Sequence, residues 1–234
     1  MRPIVFLHGF LGNSGEWQRV IAALPNQSRC RSLDLPVTND WHDAVQAVLA
    51  KITTPSVLIG YSMGARLALG CAVAASQKVS HLYFVSGNPG LDDAERAPRW
   101  TSDQAVAERL LTEPVREFLE SWYQQPVFSS VPDAMKSQWI DERQADMDRT
   151  RQSKLLSSLS VAKQPNYWED LASLSCPITV IVGEQDEKYK SIGQAITQQS
   201  RARLEIIKNA GHAVHRERPL EVARILQSVN GPPS

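Results

Sequence analysis

Ser62 stands at the centre of the glycine-flanked sequence Gly60-Tyr61-Ser62-Met63-Gly64. The apolar run Val57-Leu58-Ile59 precedes this pentapeptide, and a helix-forming segment, residues 65–69, follows it. A strand, a sharp turn and a helix in this order expose a serine hydroxyl, because glycines let the backbones approach closely. The pentapeptide alone is equally compatible with an ordinary turn whose serine caps a helix. The chemical interpretation therefore depends on partners elsewhere in the chain.

A reactive serine needs a neighbouring base, and the chain contains five histidines. His212 follows a predicted strand, residues 204–207, and precedes the last predicted helix, so we expect it at the carboxyl end of the sheet. His215, three residues further along, is the second candidate. The remaining histidines fit turn, surface or packing positions better; they are His8, His42 and His81.

The imidazole in turn needs a carboxylate that holds its tautomer and stabilises its charged form. Asp186 directly follows the predicted strand 178–182, so it also falls at the carboxyl end of the sheet. Glu184 and Glu187 are the alternatives, although acidic loop residues are usually only solvated. The order serine, aspartate, histidine along the chain is that of α/β-hydrolases, and we predict a Ser62, Asp186, His212 triad.

An oxyanion formed at this serine requires hydrogen-bond donors that are already in place. In this fold the donors are the backbone N–H groups of the residue after the serine and of a residue in the loop after an early strand. We therefore predict an oxyanion hole made by the amides of Met63 and Phe10. The alternative is that Gly9 and Gly12 only make that loop flexible.

Arg66 lies four residues after Ser62, which places both residues on one face of the same helix. Its neighbours in the helix are small or apolar, and a buried guanidinium without a partner is costly. The partner is either a carboxylate of the protein, which would make Arg66 a structural ion pair, or an anionic substrate.

The elements that must position these residues follow an alternating pattern of short apolar runs and helical segments. This pattern predicts an α/β fold with a mostly parallel sheet flanked by helices on both faces. The order of the triad residues along the chain then favours the α/β-hydrolase type of this fold. The predicted strands are 4–7, 31–35, 56–59, 81–85, 178–182 and 204–207. The predicted helices are 17–24, 44–52, 63–75, 192–198 and 220–229.

The alternation stops between residue 90 and about residue 165, where the sequence is rich in charge, Gln and Trp. We predict that residues 1–89 and 166–230 form the core and that residues 90–165 form a helical cap. Prolines divide the cap into predicted helices at 103–111, 115–123 and 134–159. Residues 231–234 are predicted to be a frayed tail.

Length and composition exclude several classes of protein. The 234 residues fit one domain, and 25 basic residues balance 25 acidic ones, so nucleic acid and an anionic membrane are not expected partners. Three cysteines without a C-x-x-C pair argue against a disulfide framework or a zinc site and are predicted to be reduced and buried. The first apolar run is too short for a signal peptide, so we expect a cytoplasmic protein. No obligate protein partner is evident.

Beyond the serine motif, the chain resembles the MenH family, the 2-succinyl-6-hydroxy-2,4-cyclohexadiene-1-carboxylate synthases of menaquinone biosynthesis, over nearly its whole length. The segment Trp122-Tyr123-Gln124-Gln125-Pro126-Val127-Phe128 carries most of the resemblance, since general hydrolase chemistry does not require it. The other matching segments are 5–10, 60–66, 111–114, 183–186 and 210–212.

The resemblance implies a lyase that eliminates pyruvate from a polycarboxylate substrate without a metal or an organic cofactor. It implies that substrate contacts come from Tyr61, Arg66, Arg99, Trp122 and Arg143. Arg96 and Tyr123 are further candidates, and the alternative for each cap arginine is a solvated helix face. A carboxylesterase or thioesterase that forms an acyl-enzyme with the same triad remains the second functional hypothesis. A catalytically idle binding module is disfavoured because it need not retain all three triad residues.

Overall fold

Six strands form one sheet in the computed structural model, which describes residues 2–228. The strand order is β2-β1-β3-β4-β5-β6, and all five pairings are parallel. The bounds are β1 (Ile4–Leu7), β2 (Cys30–Leu33), β3 (Ser56–Tyr61), β4 (Val79–Val85), β5 (Ile178–Gly183) and β6 (Arg203–Ile207). Each predicted strand is confirmed to within three residues at either end.

The central strands consist almost entirely of apolar residues because both faces of the sheet are covered. Every residue of β3 and β5 is buried, whereas the edge strands β2 and β6 are partly exposed. Adjacent residues enter opposite sides of the core, since side chains alternate along a strand. Leu58 packs among residues of one hydrophobic cluster and Ile59 among those of the other.

Helices connect the strands and cover both faces of the sheet. Within residues 2–228 they are α1 (Gln18–Ala22), α2 (Trp41–Leu49), α3 (Met63–Ala74), α4 (Asp93–Thr112), α5 (Val115–Tyr123), α6 (Asp133–Ala145), α7 (Arg149–Ser158), α8 (Glu187–Gln199), α9 (Val214–Glu217) and α10 (Pro219–Ser228). No helix in this part of the chain is long and apolar enough to cross a membrane. The predicted tail, 231–234, lies outside the described residues.

The segment between β4 and β5 contains four helices, α4 to α7, and is called the insertion (residues 90–165) below. The predicted start of its first helix was wrong, because a capping box between Asp92 and Glu95 starts α4 at Asp93 and the helix continues through Pro98. The predicted helix 134–159 is in fact two helices. Asp148 caps the second by accepting the Arg151 N–H at 2.9 Å.

Both ends of the insertion lie next to each other at the edge of the core. The backbone N–H of Tyr167 donates to the Pro89 carbonyl at 3.0 Å, and the Trp168 indole N–H donates to the Gly90 carbonyl at 3.3 Å. The chain therefore leaves the sheet after β4 and returns to it before β5 at one place, which is called the neck (Pro89, Gly90, Tyr167 and Trp168). The exact division into a core and a cap at residues 90 and 165 remains a prediction.

Candidate active site

Ser62 occupies a strained turn between β3 and α3. Its backbone has φ 50° and ψ −107°, in a region that non-glycine residues rarely adopt. The turn fits only because Gly60 and Gly64 lack side chains: a Cβ on Gly60 would lie 2.2 Å from the Gly64 carbonyl oxygen. The Ser62 N–H donates to the Val85 carbonyl of β4 at 2.8 Å, which ties the turn to the sheet.

The structure brings the three predicted triad residues together. Nδ1 of His212 lies 2.7 Å from Oδ2 of Asp186, and Nε2 lies 3.3 Å from Oγ of Ser62. Asp186 and His212 are both buried, and Asp186 also accepts the Tyr189 N–H as the N-cap of α8. With Nδ1 donating to the carboxylate, Nε2 is free to accept the serine proton.

Glu217 holds the backbone on both sides of His212, a feature that the sequence did not suggest. Its buried carboxylate accepts the Gly211 N–H at 2.8 Å and the Ala213 N–H at 3.1 Å. Burial raises the pKa of Glu217, although these two hydrogen bonds favour the ionised form. The loop that carries the imidazole is therefore fixed before and after the histidine.

The alternative base, His215, lies away from the serine. It is buried between the rings of Trp17 and Tyr61, whose centroids lie 4.5 and 4.2 Å from its own. Neither ring nitrogen has a hydrogen-bond partner within the described residues, and Nε2 lies 3.5 Å from a Glu16 carboxylate oxygen. Burial lowers the pKa of His215, which favours its neutral form.

The alternative carboxylates have other roles. Glu184 accepts the Asn209 N–H at 3.1 Å, and Glu187 pairs with Lys190 at 2.5 Å on the surface. His8 shapes a turn, as expected, because its Nε2 accepts the Leu35 N–H and its Nδ1 donates to the Gly9 carbonyl. Glu184 and Glu187 are not among the partners of His212 in the described residues.

The remaining histidines and the cysteines do not contribute to the site. His42 is exposed, and His81 packs in the sheet with Nε2 2.9 Å from the Thr179 hydroxyl. All three cysteines are free; they are Cys30, Cys71 and Cys176. The prediction that all of them are buried was wrong for Cys30, because it lies on the edge strand β2 and is only partly covered.

The loop predicted to supply one oxyanion donor packs directly on the first turn of α3. A Cβ on Gly64 would lie 2.4 Å from the His8 carbonyl oxygen, so this glycine is what allows the contact. Phe10, Ser62 and Met63 consequently line the same cavity. The strand order supports this placement, because β1 and β3 are neighbours at the point where the direction of the sheet connections reverses.

A cavity of about 300 Å³ opens above Ser62. Its wall includes all the predicted site residues except Asp186, which lies behind His212. Arg96 does not line it; the Arg96 guanidinium donates to the carbonyls of Ala162 and Gln164 inside the insertion. The lining residues that were predicted are Phe10, Tyr61, Ser62, Met63, Arg66, Arg99, Trp122, Arg143 and His212, together with the further candidate Tyr123.

Arg66 is buried in the cavity wall and is not part of an ion pair within residues 2–228. Its Nη1 donates to the Gln164 side-chain oxygen at 3.1 Å, and its Nη2 donates to the Leu159 carbonyl at 2.7 Å. Burial and the nearby Arg99 lower the pKa of Arg66 from 12.5 to about 10. The alternative of a structural ion pair is therefore wrong. Asp103 acts on the Arg66 charge from nearby, but its ion pair is with Arg99, and Arg66 lines the cavity without a paired carboxylate among the described residues.

The other two predicted arginines do have carboxylate partners. Arg99, about two-fifths exposed, donates from Nε to Asp103 at 2.8 Å. Arg143 is nearly buried and contacts Glu16 at 2.8 Å, the Tyr123 hydroxyl at 2.6 Å and the Leu11 carbonyl. These bonds orient both guanidiniums. Arg99 keeps both Nη groups without a protein partner among the described residues, whereas each nitrogen of Arg143 already donates one hydrogen bond and only the second hydrogens of its Nη groups remain.

Several residues of the cavity wall were missed by the sequence analysis. Arg216 pairs with Glu142 at 2.5 Å and lies over the ring of Trp139, and Lys188 adds another cation from α8. Arg216 follows His215 directly and Lys188 follows Asp186 by two residues, so proximity to the triad was the available signal. Glu16 and Asp103, which hold two of the arginines, carried no comparable signal.

Aromatic side chains form the remaining part of the wall. The Trp122 ring contacts Phe10 edge-on, with centroids 5.1 Å apart, and stacks near Phe118. Tyr61 and Tyr189 flank the His212 ring with centroids 5.4 and 4.4 Å away. The cavity therefore combines a cationic wall with flat apolar surfaces, which suits a cyclic ligand that carries several negative charges.

Comparisons with known proteins agree with this geometry. Residues 4–225 match the model of the alpha/beta hydrolase family. The chain is 33% identical to the 2-succinyl-6-hydroxy-2,4-cyclohexadiene-1-carboxylate synthase of Salmonella heidelberg (strain SL476) and 34% identical to that of Klebsiella pneumoniae (strain 342). Each alignment covers 97% of this chain and 92% of the relative.

Solved structures give the same result. MenH from S. aureus superposes with a TM-score of 0.88 at 25% identity, over 97% of this chain and 92% of the S. aureus chain. An esterase from Thermogutta terrifontis has a TM-score of 0.74 at 20% identity, over 98% of this chain and 89% of the esterase, and shares the fold alone. The chain therefore belongs to the α/β-hydrolase family and, within it, to the family of the 2-succinyl-6-hydroxy-2,4-cyclohexadiene-1-carboxylate synthases.

Proposed function

We propose that this protein is a carbon–oxygen lyase that eliminates pyruvate from 2-succinyl-5-enolpyruvyl-6-hydroxy-3-cyclohexene-1-carboxylate. The product is 2-succinyl-6-hydroxy-2,4-cyclohexadiene-1-carboxylate, an intermediate of menaquinone biosynthesis. The observation that carries the proposal is that Arg66, which has no ion pair within residues 2–228, lines the same cavity as Ser62 and His212. A neutral ester gives such a buried cation nothing to bind, whereas a tricarboxylate does.

The triad begins the reaction by removing a proton. His212, oriented by Asp186, accepts the hydroxyl proton of Ser62, and the serine oxygen then takes the ring proton next to the succinyl ketone. The resulting enolate oxygen is stabilised by the Phe10 and Met63 amides. These donors act on charge that develops during the reaction, so their contribution is largest in the transition state.

The elimination then follows from the electron arrangement of the ring. The enolate re-forms the ketone, a double bond forms between C2 and C3, the existing double bond moves to C4–C5, and the C5–oxygen bond breaks. Enolpyruvate leaves, takes up the proton held by His212 and tautomerises to pyruvate. Each step uses groups of the chain or the substrate, so the proposed mechanism requires no metal or organic cofactor.

The proposed function also requires that the cavity bind the carboxylates of the substrate. We assign substrate carboxylates to Arg66, Arg99 and Arg143, with Trp122 and Tyr61 packing against the ring. An arginine offers two parallel N–H groups to a carboxylate, so three guanidiniums in one cavity fix both the position and the orientation of a tricarboxylate. This positioning brings the acidic ring proton to the serine oxygen.

The direct test is incubation of the purified protein with the enolpyruvyl precursor, followed by coupled enzymatic detection of pyruvate. Release of pyruvate by the wild-type protein and not by Ser62→Ala is the expected result. The esterase alternative is distinguished by intact mass after rapid quenching. A lyase leaves Ser62 unmodified, whereas an adduct on Ser62 that forms and decays at the turnover rate would overturn the proposal.

A further inference from the structure

Gln164 is a fully buried side chain whose amide has a single allowed orientation. Its nitrogen donates to the carbonyls of Pro89 at 2.6 Å and Asn88 at 3.1 Å. Because two acceptors lie on that side, the amide oxygen must point the other way, where it accepts from Arg66 Nη1 at 3.1 Å. The carbonyls of Asn88 and Pro89 thus fix the Gln164 amide, and this amide in turn fixes the Arg66 guanidinium.

This arrangement orients the Arg66 cation without cancelling its charge. Both of its acceptors within the described residues are neutral, the Gln164 amide and the Leu159 carbonyl. The other cavity arginines differ, since Arg99 is held by Asp103 and Arg143 by Glu16. A carboxylate in place of the amide would accept the same hydrogen bond. It would also neutralise the positive charge of Arg66 that a substrate carboxylate needs.

We infer that Gln164 is a positioning residue that sets the specificity for an anionic substrate, by aiming Arg66 into the cavity while leaving its charge available. The inference rests on the proposed function, because it requires a substrate carboxylate that meets Arg66. Gln164 does not line the cavity and so acts only through the arginine. Its loss should therefore weaken substrate binding more than it slows the chemical step.

A double-mutant cycle tests this role. Gln164→Met, Arg66→Met and the double variant are compared for kcat and KM with the tricarboxylate substrate, using pyruvate release. We expect Gln164→Met to raise KM about tenfold, because a misaligned Arg66 loses its charge-assisted contact with the substrate carboxylate. The kcat should stay within about threefold of wild type. In the Arg66→Met background, Gln164→Met should change KM by less than about twofold, because the residue through which it acts is gone.

Gln152 provides a matched control. It is also a buried glutamine of the insertion and also bonds to core backbone, accepting the Leu11 N–H and donating to the Gly12 carbonyl. It has no contact with Arg66 in the described residues, so the effect of Gln152→Met should add to that of Arg66→Met. Additive losses for Gln164→Met as well would show that it only supports the fold and would overturn the inference.

Folding must be considered, since Gln164→Met leaves the Asn88 carbonyl without its donor and leaves the Pro89 carbonyl with the Tyr167 N–H alone. Where that variant does not fold, Gln164→Asn enters the same cycle, because its shorter amide remains polar but does not reach Arg66. An unchanged KM in the folded variant would also overturn the inference. Wild-type protein that releases no pyruvate would overturn the proposed function and this inference together, whereas active wild type with additive variants would overturn only the role of Gln164.

Discussion

Replacement of Arg66 by methionine is the sharpest test of a polycarboxylate substrate. The drop of its pKa to about 10 corresponds to roughly 3 kcal/mol against the charged form in the folded protein. The charged Arg66 destabilises the folded state by this amount at every pH below about 10, so replacing it by methionine removes this destabilisation. Against this relief stand two lost hydrogen bonds from a charged donor, worth about 1.5–3 kcal/mol each. The net loss is therefore roughly 0–3 kcal/mol, and the melting temperature should fall by no more than about 10 °C, at roughly 2–4 °C per kcal/mol for a chain of this size.

Activity should respond very differently from stability. A lost charge-assisted bond to a substrate carboxylate costs about 1.5–3 kcal/mol, so kcat/KM measured by pyruvate release should fall roughly ten- to a hundredfold. Arg66→Lys should recover only part of the loss, because an ammonium cannot make the planar two-pronged contact.

Arg116→Met is the control for this experiment. It removes the same charge from a surface ion pair with Glu120 and Asp141, and kcat/KM should stay within about twofold of wild type. An unchanged kcat/KM in Arg66→Met, or a loss explained by a much lower melting temperature, would refute the assignment of Arg66 to the substrate.

Three further predictions concern the residues around Ser62. Ser62→Ala, Asp186→Asn and His212→Ala should each lower turnover at least roughly a thousandfold with cooperative unfolding retained, and near-native turnover in Ser62→Ala would exclude the triad. Glu217→Gln should lower kcat about tenfold, because an amide cannot accept from the N–H groups on both sides of His212; unchanged kcat would mean that this clamp is dispensable. Burial alone would raise the pKa of Glu16, but Arg143, His215 and Arg216 together outweigh it and the pKa lies below 4.5. The ionised form therefore stabilises the fold above pH 4.5, and the deficit of Glu16→Gln in urea unfolding should shrink as the pH falls below that value; a deficit equal at pH 7 and pH 4 would contradict this.

The sheet and the proximity of the three proposed triad residues could be predicted because their determinants are local in sequence. Apolar runs bounded by turn residues mark strands that are buried on both faces, and residues directly after such strands collect at one edge of the sheet. Ser62, Asp186 and His212 each follow a strand or its loop, so their proximity followed from the fold class.

The supporting residues could not be predicted because they act across long distances in sequence. Gln164 lies 98 residues from the arginine it holds, and Glu16 lies 127 residues from Arg143. A glutamine or glutamate in a polar segment carries no sign of such a partner. The start of α4 and the break between α6 and α7 were missed for a related reason, since these helices lack strong apolar periodicity and depend on caps such as Asp148 to determine where they start. The strongly amphipathic α5, by contrast, was predicted at its observed bounds.

The neck of the insertion has a consequence for how this fold can change. Because the carbonyls of Pro89 and Gly90 bind Tyr167, Trp168 and Gln164, the two ends of residues 90–165 are already closed on each other. The length of the segment between them then adds little to the entropic cost of closing the loop in the core. The insertion can therefore be lengthened, shortened or exchanged as a cassette while β4 and β5 stay paired. One catalytic sheet could in this way be combined with different substrate-binding modules, by natural variation or by design.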